Sequence, residues 1–337
     1  MLQRRVVGLV GTGHVGVAAA YALFIKGLAS ELILIDKDSR RAEGEAMDLM
    51  HGQSLVGSMT VRAGTYADLK EAQIVIISAG VAQRPGESRL ALLNRNAEVF
   101  REIIGELDRH APNAILIVAT NPVDILTYVA QELSRRPAEH IIGTGTLLDT
   151  ARFRALLGQY YGVDPRSVHA YILGEHGDSE VAIWSQVAIG GQRILDRTVL
   201  GRPFDRERMQ QIFEKARRAA YAIIERKGYT NTAIGVVIAR LVEAILDDEK
   251  KRAARERAPQ WRVRHSGRVP EHSLRDRPAG HRRPGAPRAG SGRTGRPAPL
   301  GRNPPAVAAC AFAVAVHRKP GTFEEKREFL RKQSTPS

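Results

Sequence analysis

The sequence predicts an α/β chain: a doubly wound parallel sheet, followed by a smaller α+β domain. Three observations carry that expectation. A glycine-rich turn, Gly11-Thr12-Gly13-His14-Val15-Gly16, joins an apolar run to an alanine- and leucine-rich helical stretch. Further short apolar runs alternate with helical segments to about residue 145, the rhythm of βαβ units. A carboxylate, Asp36, closes the second apolar run, 20 residues beyond Gly16.

Taken in order, Arg5 to Val10 reads as the first strand and Val17 to Ile25 as part of the first helix. In the turn between them, Gly11 permits a tight bend, Gly13 lets the backbone approach a pyrophosphate, and Gly16 lets helix and strand pack closely. The helix N-terminus then offers free N–H groups to the phosphates. Gly11, Gly13, Val15 and Gly16 are therefore the candidate cofactor-binding positions of a Rossmann-type domain over residues 1–145. The second strand, Glu31 to Ile35, delivers Asp36, which can accept both ribose hydroxyls and would repel the extra phosphate of NADP. NAD is the expected cofactor. The plainer reading of Asp36 is a helix N-cap or turn residue.

Strand-like runs follow at Ile74 to Ser78 and Ile115 to Ala119. Ligands of open parallel sheets bind beyond the carboxyl ends of the strands, so the polar residues there are informative. After the first run comes a loop rich in Gly, Pro and charge, Ala79 to Leu90, which reads as mobile and leads into a helix. After the second comes Thr120-Asn121-Pro122-Val123-Asp124, an asparagine held in a rigid turn. The run Val168 to Leu173 reads as a strand ending in a sharp polar loop, Gly174-Glu175-His176-Gly177-Asp178-Ser179. It presents an imidazole at a strand terminus, where an isolated histidine is more often structural than catalytic. Helical runs at Arg206 to Lys227 and Ala233 to Leu246 complete a second domain over residues 146–250.

Composition divides the chain. Its 337 residues allow two domains and a sizeable core. No apolar run approaches the roughly 18 to 20 residues that span a membrane, the N-terminus lacks a cleavage-site pattern, and Cys310 is the single cysteine. A reducing cytoplasm is the natural expectation. The formal charge of +15 lies wholly in residues 251–337, with 21 Lys and Arg against 6 Asp and Glu; residues 1–250 balance at 30 of each. The same tail holds 11 of the 17 prolines.

These segments resemble the L-lactate and malate dehydrogenase family, specifically its bacterial L-lactate dehydrogenases, over about residues 5–250. The glycine turn, the loop Gln83 to Arg89, Thr120 to Asp124, Leu148-Asp149-Thr150-Ala151-Arg152 and Gly174 to Asp178 carry the resemblance, in order and at the right separations. It implies hydride transfer between a 2-hydroxy acid and nicotinamide, with His176 as acid/base and Asp149 fixing its tautomer and favouring the imidazolium. Arg152 lies one helical turn from Asp149, on the same face, and would hold the substrate carboxylate in a bidentate grip. A surface salt bridge is the commoner fate of such a pair.

By the same resemblance Arg89 would swing in to polarise the carbonyl as the loop closes. Asn121 would contact cofactor and substrate oxygen, and Thr230 would line the pocket. Gln83, six residues before Arg89, stands where malate-type members carry arginine, so pyruvate is expected over oxaloacetate. Arg154 and His169 match the allosteric pair that binds fructose 1,6-bisphosphate between subunits. A cytoplasmic homotetramer acting in pyruvate fermentation after glycolysis is implied, with no metal and no membrane. The alternatives are a malate or other 2-hydroxyacid dehydrogenase, or an inactive NAD-binding protein whose basic tail binds polyanions.

After Lys250 the resemblance stops. The family would continue with strands and a long amphipathic helix; instead an Arg/Pro/Gly/Ala mixture runs on with no period of 2 or 3.6. A frame shift in a GC-rich gene, a disordered basic tail that contacts nucleic acid non-specifically by counterion release, and a lineage-specific extension are the explanations. The substrate domain is expected to be truncated, with its apolar docking surface exposed.

Overall fold

The computed structural model describes residues 4–81, 86 and 89–247, with the side chains of residues 89 and 90 excepted. The tail, including the expected disorder or frame shift of residues 251–337, lies outside the described residues.

The first region builds a six-stranded, wholly parallel sheet. In chain order it comprises β1 (Val6–Val10), α1 (His14–Lys26), β2 (Glu31–Ile35), α2 (Ser39–His51), a short α3 (Gln53–Val56), β3 (Thr60–Ala63), β4 (Ile74–Ile77), α4 (Arg89–His110), β5 (Ile115–Val118), α5 (Val123–Leu133) and β6 (Ile141–Gly143). The spatial order β3-β2-β1-β4-β5-β6 reverses direction at β1, which makes the crevice beyond β1 and β4 the place for a dinucleotide. The strands read as continuous aliphatic runs because both faces are covered. Val7, Leu9, Leu32, Leu34, Ile74 and Ile76 point to one face, against α1 and α2. Val6, Val10, Ile33, Ile35, Val75 and Ile77 point to the other, against α4 and α5.

The second region comprises α6 (Leu147–Tyr161), five two-residue strands, β7 (Val168–His169), β8 (Ile172–Leu173), β9 (Val181–Ala182), β10 (Ala188–Ile189) and β11 (Gln192–Arg193), and then α7 (Arg206–Arg217), α8 (Ala219–Lys227) and α9 (Thr232–Leu246). Its own core gathers Phe153 and Leu157 of α6 with Met209 and Phe213 of α7. Helix α9 returns to the first region: a Cβ at Gly235 would lie 2.5 Å from the Ala18 carbonyl oxygen, so the glycine allows α9 to seat directly on α1.

Two expected elements are interrupted. The single strand Val168 to Leu173 is two strands in different sheets, β7 pairing β10 and β8 pairing β9. Between them, side chains from one stripe of α6 replace a ladder partner. Arg154 Nε donates to the Ala170 carbonyl, Thr150 Oγ1 accepts from Ile172 N, and Thr146 Oγ1 donates to Ile172 O at 2.7 Å. Residues spaced by four share a helix face, so the stripe holds the chain against α6 without a continuous sheet. The helical run Arg206 to Lys227 likewise breaks at Arg218, giving α7 and α8. No side chain of α8 is buried, and Tyr221 and Ile224 stand exposed.

Candidate active site

The carboxyl ends of β1, β2 and β4 converge on the glycine turn. Gly11 N donates to Ile35 O, and Ala79 N to Val10 O. Gly11 has φ +98°, and a Cβ there would lie 2.5 Å from Ala79 N, so only glycine fits between the strand ends. At Gly16 a Cβ would come within 1.9 Å of the Gly11 carbonyl oxygen. Gly13 differs: among the described residues a Cβ would meet nothing within 4 Å. The turn is thus packed on its inner side and open at Gly13, a cradle that fits a pyrophosphate, with Val15 in the first turn of α1 where N–H groups lack helical partners.

Asp36 stands at the mouth of this cradle, half-buried. Its Oδ2 accepts from Thr12 N at 2.6 Å and Thr12 Oγ1 at 2.9 Å, and Oδ1 accepts from Asp38 N at 3.1 Å. Burial pushes the carboxyl up, but these bonds and Arg41 outweigh it and hold the group below its ordinary range. The helix cap of α2 is Asp38, which accepts from Arg41 N, so Asp36 is not the cap. Oδ1, with one donor, keeps a further lone pair for a ribose hydroxyl.

His176 sits in the hairpin loop between β8 and β9, where Asp149 of α6 meets it: Nδ1 lies 2.6 Å from Asp149 Oδ2. Arg152 Nη1 donates to the other oxygen of that carboxylate at 3.0 Å. This pair is no surface salt bridge, because the two side chains are 2% and 12% exposed. The Asp149 hydrogen bond raises the imidazole above its ordinary range, against the opposing effect of burial.

Two contacts escaped sequence reasoning. The His176 amide donates to Asp124 Oδ2 at 2.7 Å, which ties the loop to the first turn of α5. Glu180, four residues beyond His176, is 3% exposed and brings a carboxylate oxygen within 4.8 Å of donor atoms on both Asp149 and His176. The Asp124 contact could have been suspected from its place in Thr120 to Asp124; nothing local marks Glu180.

The remaining predicted residues are placed as follows. Asn121 is exposed beyond β5, joined to Pro122 by a cis peptide bond. Thr230 is half-buried in the loop before α9; its neighbour Tyr229 stacks on His14 of α1, ring centroids 3.8 Å apart and 4° from parallel. That contact sets the Thr230 loop beside the glycine turn. Arg154 lies over the Tyr171 ring, 5.0 Å from its centroid, and bonds the carbonyl of Ala170, the residue after His169 of β7. Arg89 is the first residue of α4; its side chain, and Gln83, lie outside the described residues.

An open parallel sheet with a glycine turn at its switch point, and a carboxylate-held imidazole and half-buried arginine on the second region, define a Rossmann-class protein. Comparison narrows the class. The chain belongs to the lactate/malate dehydrogenase family: the family model of its NAD binding domain matches residues 5–143, and that of its alpha/beta C-terminal domain residues 146–257.

Among similar proteins, the L-lactate dehydrogenase of Salinibacter ruber is 69% identical over 251 residues, covering 74% of this chain and 79% of the relative. That of Thermus aquaticus is 51% identical over 245 residues, 72% of this chain and 79% of the relative. The ligand-bound crystal structure of the minor L-lactate dehydrogenase from Enterococcus mundtii superposes with a TM-score of 0.70 at 45% identity, covering 72% and 78% of the two chains. A lactate dehydrogenase from a Medee basin deep-sea metagenome gives 0.71 at 45% identity, covering 74% and 79%.

Proposed function

We propose that the chain is an NAD-dependent L-lactate dehydrogenase that interconverts pyruvate and L-lactate, with His176 as acid/base. The observation that carries this reading is the 2.6 Å contact between His176 Nδ1 and Asp149. With Nδ1 held, Nε2 is the nitrogen left to exchange a proton with substrate, and the adjacent carboxylate favours the charged ring. When bound, the nicotinamide supplies the hydride to C2 of pyruvate, or accepts it from lactate.

The chain's own residues do the rest. His176 Nε2 gives its proton to the substrate oxygen in reduction and takes it back in oxidation. Arg152, fixed by Asp149, turns its remaining N–H groups to the substrate carboxylate; a guanidinium suits this because its planar fork matches a carboxylate. Arg89 polarises the carbonyl, Asn121 holds the same oxygen, and Thr230 lines the pocket. Asp36 takes the ribose of NAD. Gln83 leaves the substrate's third carbon without a charged partner, which favours the methyl of pyruvate.

The regulatory part of the reading is that Arg154 and His169 hold fructose 1,6-bisphosphate in a cytoplasmic homotetramer, at the end of glycolysis. Their adjacency across Ala170 supports it. The division into an NAD-binding domain over 1–145, a substrate domain over 146–250 and a separate tail belongs to the same proposal. The test is pyruvate-dependent oxidation of NADH by the purified chain, with and without fructose 1,6-bisphosphate. Preference for pyruvate over oxaloacetate, inverted by Gln83→Arg, is the expected result; equal use of both by the unaltered chain would favour a malate-type or broader enzyme.

A further inference from the structure

Glu180 is a buried carboxyl with no role in the reaction described above. It ends the hairpin loop that carries His176, immediately before β9, and its Oε1 has no hydrogen-bond partner among the described residues although the residue is 3% exposed. A buried, unpaired polar atom costs free energy, so its retention calls for a function. One carboxylate oxygen of Glu180 lies within 4.8 Å of the facing atoms of both Asp149 and His176. At that separation a charge on Glu180 acts directly on the His176 ring.

The surrounding charges are few. Asp149 and Arg152 face the cluster from α6, and Asp124 faces it from α5 through the His176 amide. On the loop itself Glu175 bonds Ser179, and Arg217 of α7 donates to the Asp178 carbonyl. Among the described residues Arg152, His176 and Arg217 are the cations; Arg152 already bonds Asp149 and Arg217 bonds Glu214. Glu180 therefore meets a negative neighbour, and no hydrogen bond holds its Oε1.

We propose that Glu180 is a positioning residue of the acid–base site: its charge beside the His176–Asp149 pair sets the pH at which His176 loses its own. This rests on the reading of His176 as acid/base. Burial first, and then Asp149, pushes the Glu180 carboxyl up to about 7. At a pH above that value Glu180 is a carboxylate beside the ring. The carboxylate so formed holds the imidazolium to higher pH, because a nearby opposite charge favours the charged ring. Pyruvate reduction needs that imidazolium, so Glu180 extends the reaction's working range upward.

The experiment is a pH titration of the His176 ring by NMR in the full chain and in Glu180→Gln, with the resonance assigned by its loss in His176→Ala. The amide keeps the shape and removes the charge. Glu180→Gln is expected to lower the His176 midpoint by about one unit, the size a single close charge produces. The falling limb of kcat/KM for pyruvate would move to lower pH by the same amount, while NADH affinity stays unchanged. An unmoved ring titration overturns the proposal. Should the variant not fold, carboxyl NMR of the unaltered chain decides it: a Glu180 signal titrating near the ordinary value of about 4.3 overturns the proposal, and one near 7 upholds it. Neither NMR readout needs turnover. Absence of pyruvate reduction would therefore count against the functional reading alone.

Discussion

His176 Nδ1 lies 2.6 Å from Asp149 Oδ2, while Arg152 is bonded to the other oxygen of the same carboxylate. One buried acid thus orients both the proposed proton donor and the proposed anion-binding group, so disturbing it should affect chemistry and binding together. Asp149→Asn is expected to reduce kcat/KM for pyruvate about 10²- to 10⁴-fold, the usual range for losing an acid–base function. It should also move the falling pH limb downward, since the imidazolium loses its main stabilising partner. A pH–rate profile of the variant checks both.

The glycine turn yields a contrast between two substitutions. Gly16→Ala drives a Cβ to 1.9 Å from the Gly11 carbonyl oxygen and should destabilise the fold by about 1–3 kcal/mol, the usual cost of overpacking. Gly13→Ala meets no atom of the described residues within 4 Å, so thermal stability should hold while NADH affinity falls. Melting curves and NADH fluorescence titrations of the two variants separate packing from binding.

Arg136 offers a test of the fold far from the site. Its guanidinium side chain is 1% exposed, paired with Asp108, and it also donates to the carbonyls of Leu107 and Ala114. Burial lowers its pKa, opposed by Asp108. Arg136→Ala removes the cation from the Asp108 carboxylate, which keeps only Ser134 Oγ and Arg135 N as donors, and takes a donor from the Ala114 carbonyl, which should cost about 3–5 kcal/mol. Denaturant unfolding measures it; a loss below 1 kcal/mol would mean that water replaces the guanidinium.

Stability should decline as pH rises through about 7. The folded pKa of His176 is raised above the unfolded value of 6.5, and that of Glu180 above 4.5 to about 7. A group with a raised folded pKa stabilises the fold fully below its unfolded value and loses that contribution as pH passes its folded value. Urea midpoints from pH 5 to 9 should therefore fall through neutrality in the unaltered chain. The fall should be shallower in Glu180→Gln.

Local chemistry made much of this legible in the sequence. Gly11, Gly13 and Gly16 each do what a strand–turn–helix demands, and the sheet strands are short, aliphatic and closed by polar residues. Asp149 and Arg152 share a helix face by spacing alone. What was not legible depends on distant partners. Val168 to Leu173 looks like one strand because its residues suit one; the break at Ala170 and Tyr171 exists because Thr146, Thr150 and Arg154 supply hydrogen bonds from 16 to 26 residues away. Glu180 reads as an ordinary loop acid until the hairpin folds it beneath His176.

The most direct test of the central claim is pyruvate-dependent NADH oxidation by the purified chain, measured beside His176→Ala. The expected result is turnover by the unaltered chain, reduced about 10²-fold or more in the variant, with NADH binding nearly equal in both. Equal turnover by the two proteins, or loss of NADH binding in step with turnover, would contradict the assignment of His176 as the acid/base.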